Sequence, residues 1–187
     1  MSGLSKRVAT EFCNLCNWTY QIWINHRILF HDENLASKIR MSKSSDFFTR
    51  LNLISQEYAL LQLVKLHDPC IVSGQITLGI EYVLKYGGWD TVTYSSLSTL
   101  EKSLTAFAKN LKTVRNKVLA HNDLAAILSG DLLGEFEPDE DLKYFNALQE
   151  FVTIIHSKVI GEPYLFDNLV QNDVAAFIDM LQLQDTE

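Results

Sequence analysis

A chain of 187 residues, 47% of them hydrophobic and 21% charged, has material for one hydrophobic core of ordinary domain size and little for two. Eight Gly and three Pro are too few for a loop-rich or disordered chain, and no window of about 18 residues is free of polar groups, which argues against a membrane span. The net charge of −7 conceals a division: residues 1–122 hold 14 Lys and Arg against 9 acids, while residues 123–187 hold 2 against 14, so an acidic total does not exclude an anionic partner for the front of the chain.

The start of the chain does not combine a basic stretch, an apolar run and a small-residue cleavage site. Cys13, Cys16 and Cys70 make an odd set of three. Neither export nor a disulfide framework is expected, and a reducing cytoplasm fits best. The expectation is a single helical domain over residues 1–187.

Hydrophobic periodicity divides the chain into five or six stretches of helical length with hardly any strand-like alternation, the pattern of an all-α bundle. The first stretch runs from about Leu4 to about Phe30, carries Phe12, Trp18, Tyr20, Trp23 and Phe30, and ends in the polar run His31, Asp32, Glu33, Asn34. The second runs from about Ser45 to Leu66 with apolar residues on so many sides that a wide buried face is predicted, and Pro69 stops it. A shorter helix from about Gln75 to Tyr86 meets Gly87 and Gly88, a pair suited to the left-handed backbone just past a helix end. A loop through Trp89 and Tyr94 follows.

Ser98 and Glu101 form a capping-box pattern, which predicts that the fourth helix opens there. A connection through Gly130, Gly134 and Pro138 leads to a helix from about Asp139 to Ile160, with acids at its positive end and Gly161 and Pro163 after it. A last helix is predicted over about Asn168 to Leu183. No internal repeat or low-complexity segment is present.

Within the fourth stretch, Leu104, Phe107, Leu111, Val114 and Val118 recur at helical spacing and form one apolar stripe. Residues 102–121 carry Lys102, Lys109, Lys112, Arg115 and Lys117 and no acid. That run suits a phosphate backbone, and it equally suits the solvated face of an amphipathic helix. On an ideal helix Arg115 and His121 flank the stripe at about 60° on either side, about 9 Å apart along the axis and about 120° apart in direction. They would meet one phosphate if the helix ended or bent near Ala120, or if a second copy of the chain contributed. By spacing alone the pair also reads as a snorkelling edge residue and a helix C-terminal histidine.

The run Arg115, Asn116, Lys117, Val118, Leu119, Ala120, His121, Asn122, Asp123 resembles the signature of the HEPN superfamily, the higher eukaryotes and prokaryotes nucleotide-binding domain. That signature is an Arg, usually followed by a polar residue, with a His four to six positions on, carried by a late helix of an all-α bundle. Asn beside the Arg, Ala before the His, and Asn and Asp after it resemble the abortive-infection, AbiU-like branch. In that branch an earlier helix often ends in a Leu-rich stretch with an Asp, as His67, Asp68 and Pro69 do here.

The resemblance implies a metal-independent endoribonuclease that works as a homodimer without a cofactor, of a kind frequent in toxin–antitoxin and phage-defence systems. An antitoxin or regulatory protein is then an implied partner. Carried onto this sequence, Arg115 would stabilise charge on the scissile phosphate, His121 would act as general base or acid, and Asn116 would add a hydrogen-bond donor, although on an ideal helix Asn116 faces solvent. Lys109, Lys112, Lys117 and Asn122 would contact RNA. The alternative is a non-catalytic module of the same fold that binds RNA or a protein.

Other chemistry finds little support. Cys13 and Cys16 form a C-x-x-C with His26 and His31 downstream, but no second C-x-x-C exists to complete four zinc ligands, and both fall in an aromatic-rich helix where small apolar residues belong, so no metal site is assigned. His67 with Asp68 reads as a cap or turn pair, and His156 as a helix C-terminal residue. No phosphate-binding Gly-rich loop, nucleophile elbow or H-E-x-x-H is present.

Overall fold

The computed structural model describes residues 3–31, 45–114 and 139–183. Among these the chain is all-α, with six helices and one small hairpin. The helices are α1 (Lys6–His31), α2 (Ser45–Leu66), α3 (Ile80–Tyr86), α4 (Thr91–Val114), α5 (Glu140–Val159) and α6 (Val170–Leu183), with strands β1 (Ile71–Val72) and β2 (Gln75–Ile76) between α2 and α3. The predicted connection through Gly130, Gly134 and Pro138 and the polar residues 32–34 lie outside the described residues.

Three details depart from the sequence reading. First, the helix expected from Gln75 starts at Ile80, because Ser73 and Gly74 both take positive φ (50° and 79°) and close a two-residue antiparallel turn that pairs Val72 with Gln75. Two successive left-handed residues are the geometry of a type I′ hairpin turn, and here they override helix formation.

Second, α4 begins at Thr91 rather than Ser98. Asp90 caps it: its carboxylate accepts the Thr93 N–H at 2.9 Å and the Thr93 hydroxyl at 2.8 Å. An Asp that satisfies an N-terminal amide competes well against the weak helix preference of the following Thr, Val, Thr, Tyr. Glu101 then lies inside the helix, where it accepts the Thr105 hydroxyl.

Third, α2 does not bury a wide face against the described residues. Ile54 is 63% exposed and Leu53 52%, while Leu63, Val64 and Leu66 near its end are buried. Apolar residues distributed around the whole circumference of a helix cannot all be covered by neighbours on one side. The expected left-handed glycine after α3 is present, with φ +68° at Gly88.

The described residues gather into two compact units, one drawn from Met1–Cys16 and Leu60–Leu165, the other from Asn17–Ala59 and Phe166–Glu187. In the first, α4 packs along α5. The α5 side chains Tyr144, Phe145, Leu148, Phe151, Val152, Ile155 and His156 are buried, at spacings of three and four that put them on one helical face. From α4 come Leu97, Leu104, Ala108 and Leu111, each at most 2% exposed. Phe12 of α1 meets Phe151 edge-on with centroids 6.1 Å apart. Each large apolar side chain so buried contributes about 1.5–3 kcal/mol by removal from water.

In the second unit the segment before α6 is held by polar side chains of α1. The Tyr20 hydroxyl donates to Asn168 Oδ1 at 2.5 Å, Gln21 Nε2 donates to Asp167 Oδ2 at 3.2 Å, and the Asp167 N–H donates to Asn17 Oδ1 at 2.8 Å. Tyr20 also stacks on Phe166 with centroids 5.0 Å apart.

Candidate functional site at the end of the fourth helix

Three residues of the apolar stripe face the core as its spacing predicts: Leu104 and Leu111 are buried and Phe107 is half-buried against Tyr144, the rings stacked at 4.8 Å. The last described residue of α4, Val114, immediately precedes Arg115 in the chain. Arg115, Asn116, Lys117, His121 and Asn122 lie outside the described residues. Of the predicted site residues, Lys109 and Lys112 are therefore the two whose surroundings the structure gives.

Lys109 is exposed on α4. Lys112, one turn before the motif, is half-buried, and its ammonium donates to the backbone carbonyl of His67 at 2.5 Å. That carbonyl belongs to the turn that closes α2, where the His67 N–H donates to the Val64 carbonyl and the Asp68 N–H to the Lys65 carbonyl. A cation there meets carbonyls that a helix end leaves without intrahelical partners, at the negative end of the dipole. The contact joins the His67-Asp68-Pro69 turn to the last described turn of α4. An ammonium has three donors, so this bond occupies one and leaves two for other acceptors.

The His67 side chain does more than the turn reading foresaw. It is 8% exposed, its Nε2 lies 2.9 Å from the Tyr144 hydroxyl, and burial, reinforced by the Lys112 charge, pushes its pKa down to about 4. Tyr144 is held well above its ordinary range, first by burial and then by the proximity of Cys16. At neutral pH the imidazole is thus uncharged and the phenol protonated, so Nε2 can accept the phenol O–H while Nδ1 carries the ring proton. Neither group is poised to exchange protons near pH 7, and together they form a buried polar pivot between the end of α2 and α5. Nothing in the sequence marks this pair, because 77 positions separate its members.

The remaining candidates take the places expected of them. Cys13 and Cys16 are fully buried and free; burial pushes the Cys13 thiol up to about 12 and, with Cys13 beside it, raises Cys16 as well. His156, in the last turn of α5, has Nδ1 2.7 Å from the Glu162 carbonyl. Among the described residues no group of three or more His, Cys, Asp and Glu side chains is arranged to hold a metal ion. No described helix is long and apolar enough to cross a membrane.

The sequence model of the AbiU2 family, a HEPN-type abortive-infection domain, matches residues 8–178. The chain belongs to the AbiU2 family. The match takes in α1 through most of α6, so the HEPN assignment covers the helical bundle as well as the nine-residue motif. No curated protein and no solved structure matches the chain. As an AbiU2 domain, it is an abortive-infection HEPN module in which the run beginning at Arg115 follows in sequence the helix that Lys112 fastens to the turn after α2.

Proposed function

We propose that this AbiU2 domain is a metal-independent endoribonuclease of a toxin or phage-defence system, acting in the cytoplasm as a homodimer in which motifs from two copies form the site. The observation that carries the reading is the AbiU2 match over residues 8–178, which includes the run Arg115 to Asp123. In the reaction, the ribose 2′-hydroxyl attacks the adjacent phosphorus and the bond from phosphorus to the 5′-oxygen breaks, leaving a cyclic 2′,3′-phosphate and a 5′-hydroxyl end. His121 takes the 2′-hydroxyl proton as general base or returns one to the leaving oxygen as general acid. Arg115 stabilises the phosphorane charge through its planar fork of donors, and Asn116 supplies a further donor.

Lys109, Lys117 and Asn122 would guide the RNA backbone, with Lys112 contributing the donors left free by its bond to His67. The second reading, a non-catalytic HEPN module that binds RNA or a protein such as an antitoxin, is favoured by the same lysine run, which needs no catalysis to attract phosphate. An oligonucleotide of DNA with one ribonucleotide separates the two. Cleavage on the 3′ side of the ribonucleotide, with none on the all-DNA strand, supports 2′-hydroxyl attack; binding of both strands without cleavage of either supports the module.

A further inference from the structure

Independently of any nuclease activity, we propose that His26 and His31 form a binding site for a divalent ion of the zinc class at the end of α1. The two Nε2 atoms lie 3.2 Å apart. Two imidazole nitrogens bound to one tetrahedral zinc at about 2.0–2.1 Å are separated by about 3.3–3.4 Å, so the rings already stand within about 0.2 Å of chelating geometry. Their centroids are 5.1 Å apart and their planes inclined by 62°, so the two rings meet through their Nε2 edges rather than face to face.

The site has an orienting partner. His26 Nδ1 lies 3.1 Å from the Ser55 hydroxyl. With the Nδ1 proton donated to that oxygen, His26 Nε2 presents its lone pair toward His31, the outer-shell arrangement that fixes the tautomer of metal-binding histidines. Without metal the same geometry is an Nε2–H···Nε2 hydrogen bond, with the proton contributed by His31. Zinc would occupy the place of that proton, which moves to His31 Nδ1. His26 is 7% exposed and lies beside Phe30, with ring centroids 5.4 Å apart, whereas His31 is exposed. One ligand is therefore held in place by packing and the other stands at the surface, where the ion enters and water completes its coordination. Two ligands five residues apart on one helix, with a third residue from α2 setting the tautomer, supply chelation with little chain entropy left to lose.

The test is calorimetric titration of Zn2+ into the metal-stripped full-length chain, alongside His26→Gln, His31→Gln and Ser55→Ala. The expected result is one ion per chain, binding lost in both histidine variants, and affinity about ten- to hundredfold weaker in Ser55→Ala. Imidazole 15N shifts of both His26 and His31 should move together at one equivalent. Because His31 is exposed, His31→Gln keeps the helix content of the parent and carries the test even if His26→Gln does not. Absence of zinc binding by the parent, or binding unchanged by His31→Gln, would overturn the proposal.

Discussion

The buried imidazole of His67 makes a quantitative prediction about acid stability. Its ring is 8% exposed and its pKa is pushed from 6.5 down to about 4 by burial and by Lys112. In the unfolded chain the ring regains its ordinary pKa, so as the pH falls below 6.5 the unfolded state takes up a proton that the folded state refuses until about pH 4. Stability is present above that window and is lost within it. Between pH 7 and pH 5 the linkage amounts to about 2 kcal/mol for this one group.

Urea unfolding followed by far-UV circular dichroism at the two pH values measures it, with His67→Gln as the comparison. The variant is expected to be less stable at pH 7, since Tyr144 loses its partner, and yet to lose about 2 kcal/mol less than the parent on acidification. His26, likewise pushed down to about 4 by burial and His31, titrates in both proteins, so the difference between them isolates His67. Equal losses in parent and variant would refute the placement of a neutral His67 in the core.

Three further outcomes follow from the packing. Phe151→Ala removes a fully buried ring that meets Phe12 edge-on, and should lower the unfolding free energy by about 3–5 kcal/mol in the same urea assay. Tyr144→Phe deletes the hydroxyl beside His67 Nε2 and should cost about 1–3 kcal/mol, with strong non-additivity when combined with His67→Gln. Because burial raises the Cys13 thiol to about 12 and raises Cys16 also, neither should react measurably with a disulfide reagent at pH 8 until the chain is unfolded, as a timed titration with and without urea would show.

The helical order of this chain is visible in its periodicity because each core helix repeats its apolar residues at three and four positions, most plainly Tyr144, Leu148, Phe151 and Ile155 on α5. Boundaries set by local side-chain chemistry are harder to see. The hairpin at Ser73-Gly74 contains two exposed isoleucines that resemble a helix lead-in until the positive φ angles are known. The start of α4 is hidden because Thr91, Val92, Thr93 and Tyr94 are weak helix formers, and the Asp90 cap outweighs them only once its two bonds to Thr93 are formed.

The candidate site divides in the same way. The lysines of α4 and the Arg115 to Asp123 run stand in one contiguous stretch and can be read directly. The bond from Lys112 to the His67 carbonyl spans 45 positions and the His67 to Tyr144 pair spans 77, and such contacts arise only where the turn after α2 meets side chains of α4 and α5, which no spacing rule encodes.

The activity proposed for this AbiU2 domain is cleavage of RNA by Arg115 and His121 without metal. Its most direct test is incubation of a mixed RNA pool with the purified protein in excess chelator, alongside Arg115→Ala and His121→Ala, with analysis of the product ends. Cleavage by the parent, leaving cyclic phosphates and 5′-hydroxyls and abolished in both variants, is the predicted result. Parent protein free of co-purifying inhibitor that leaves the pool uncut, or cleavage that survives both substitutions, would contradict it.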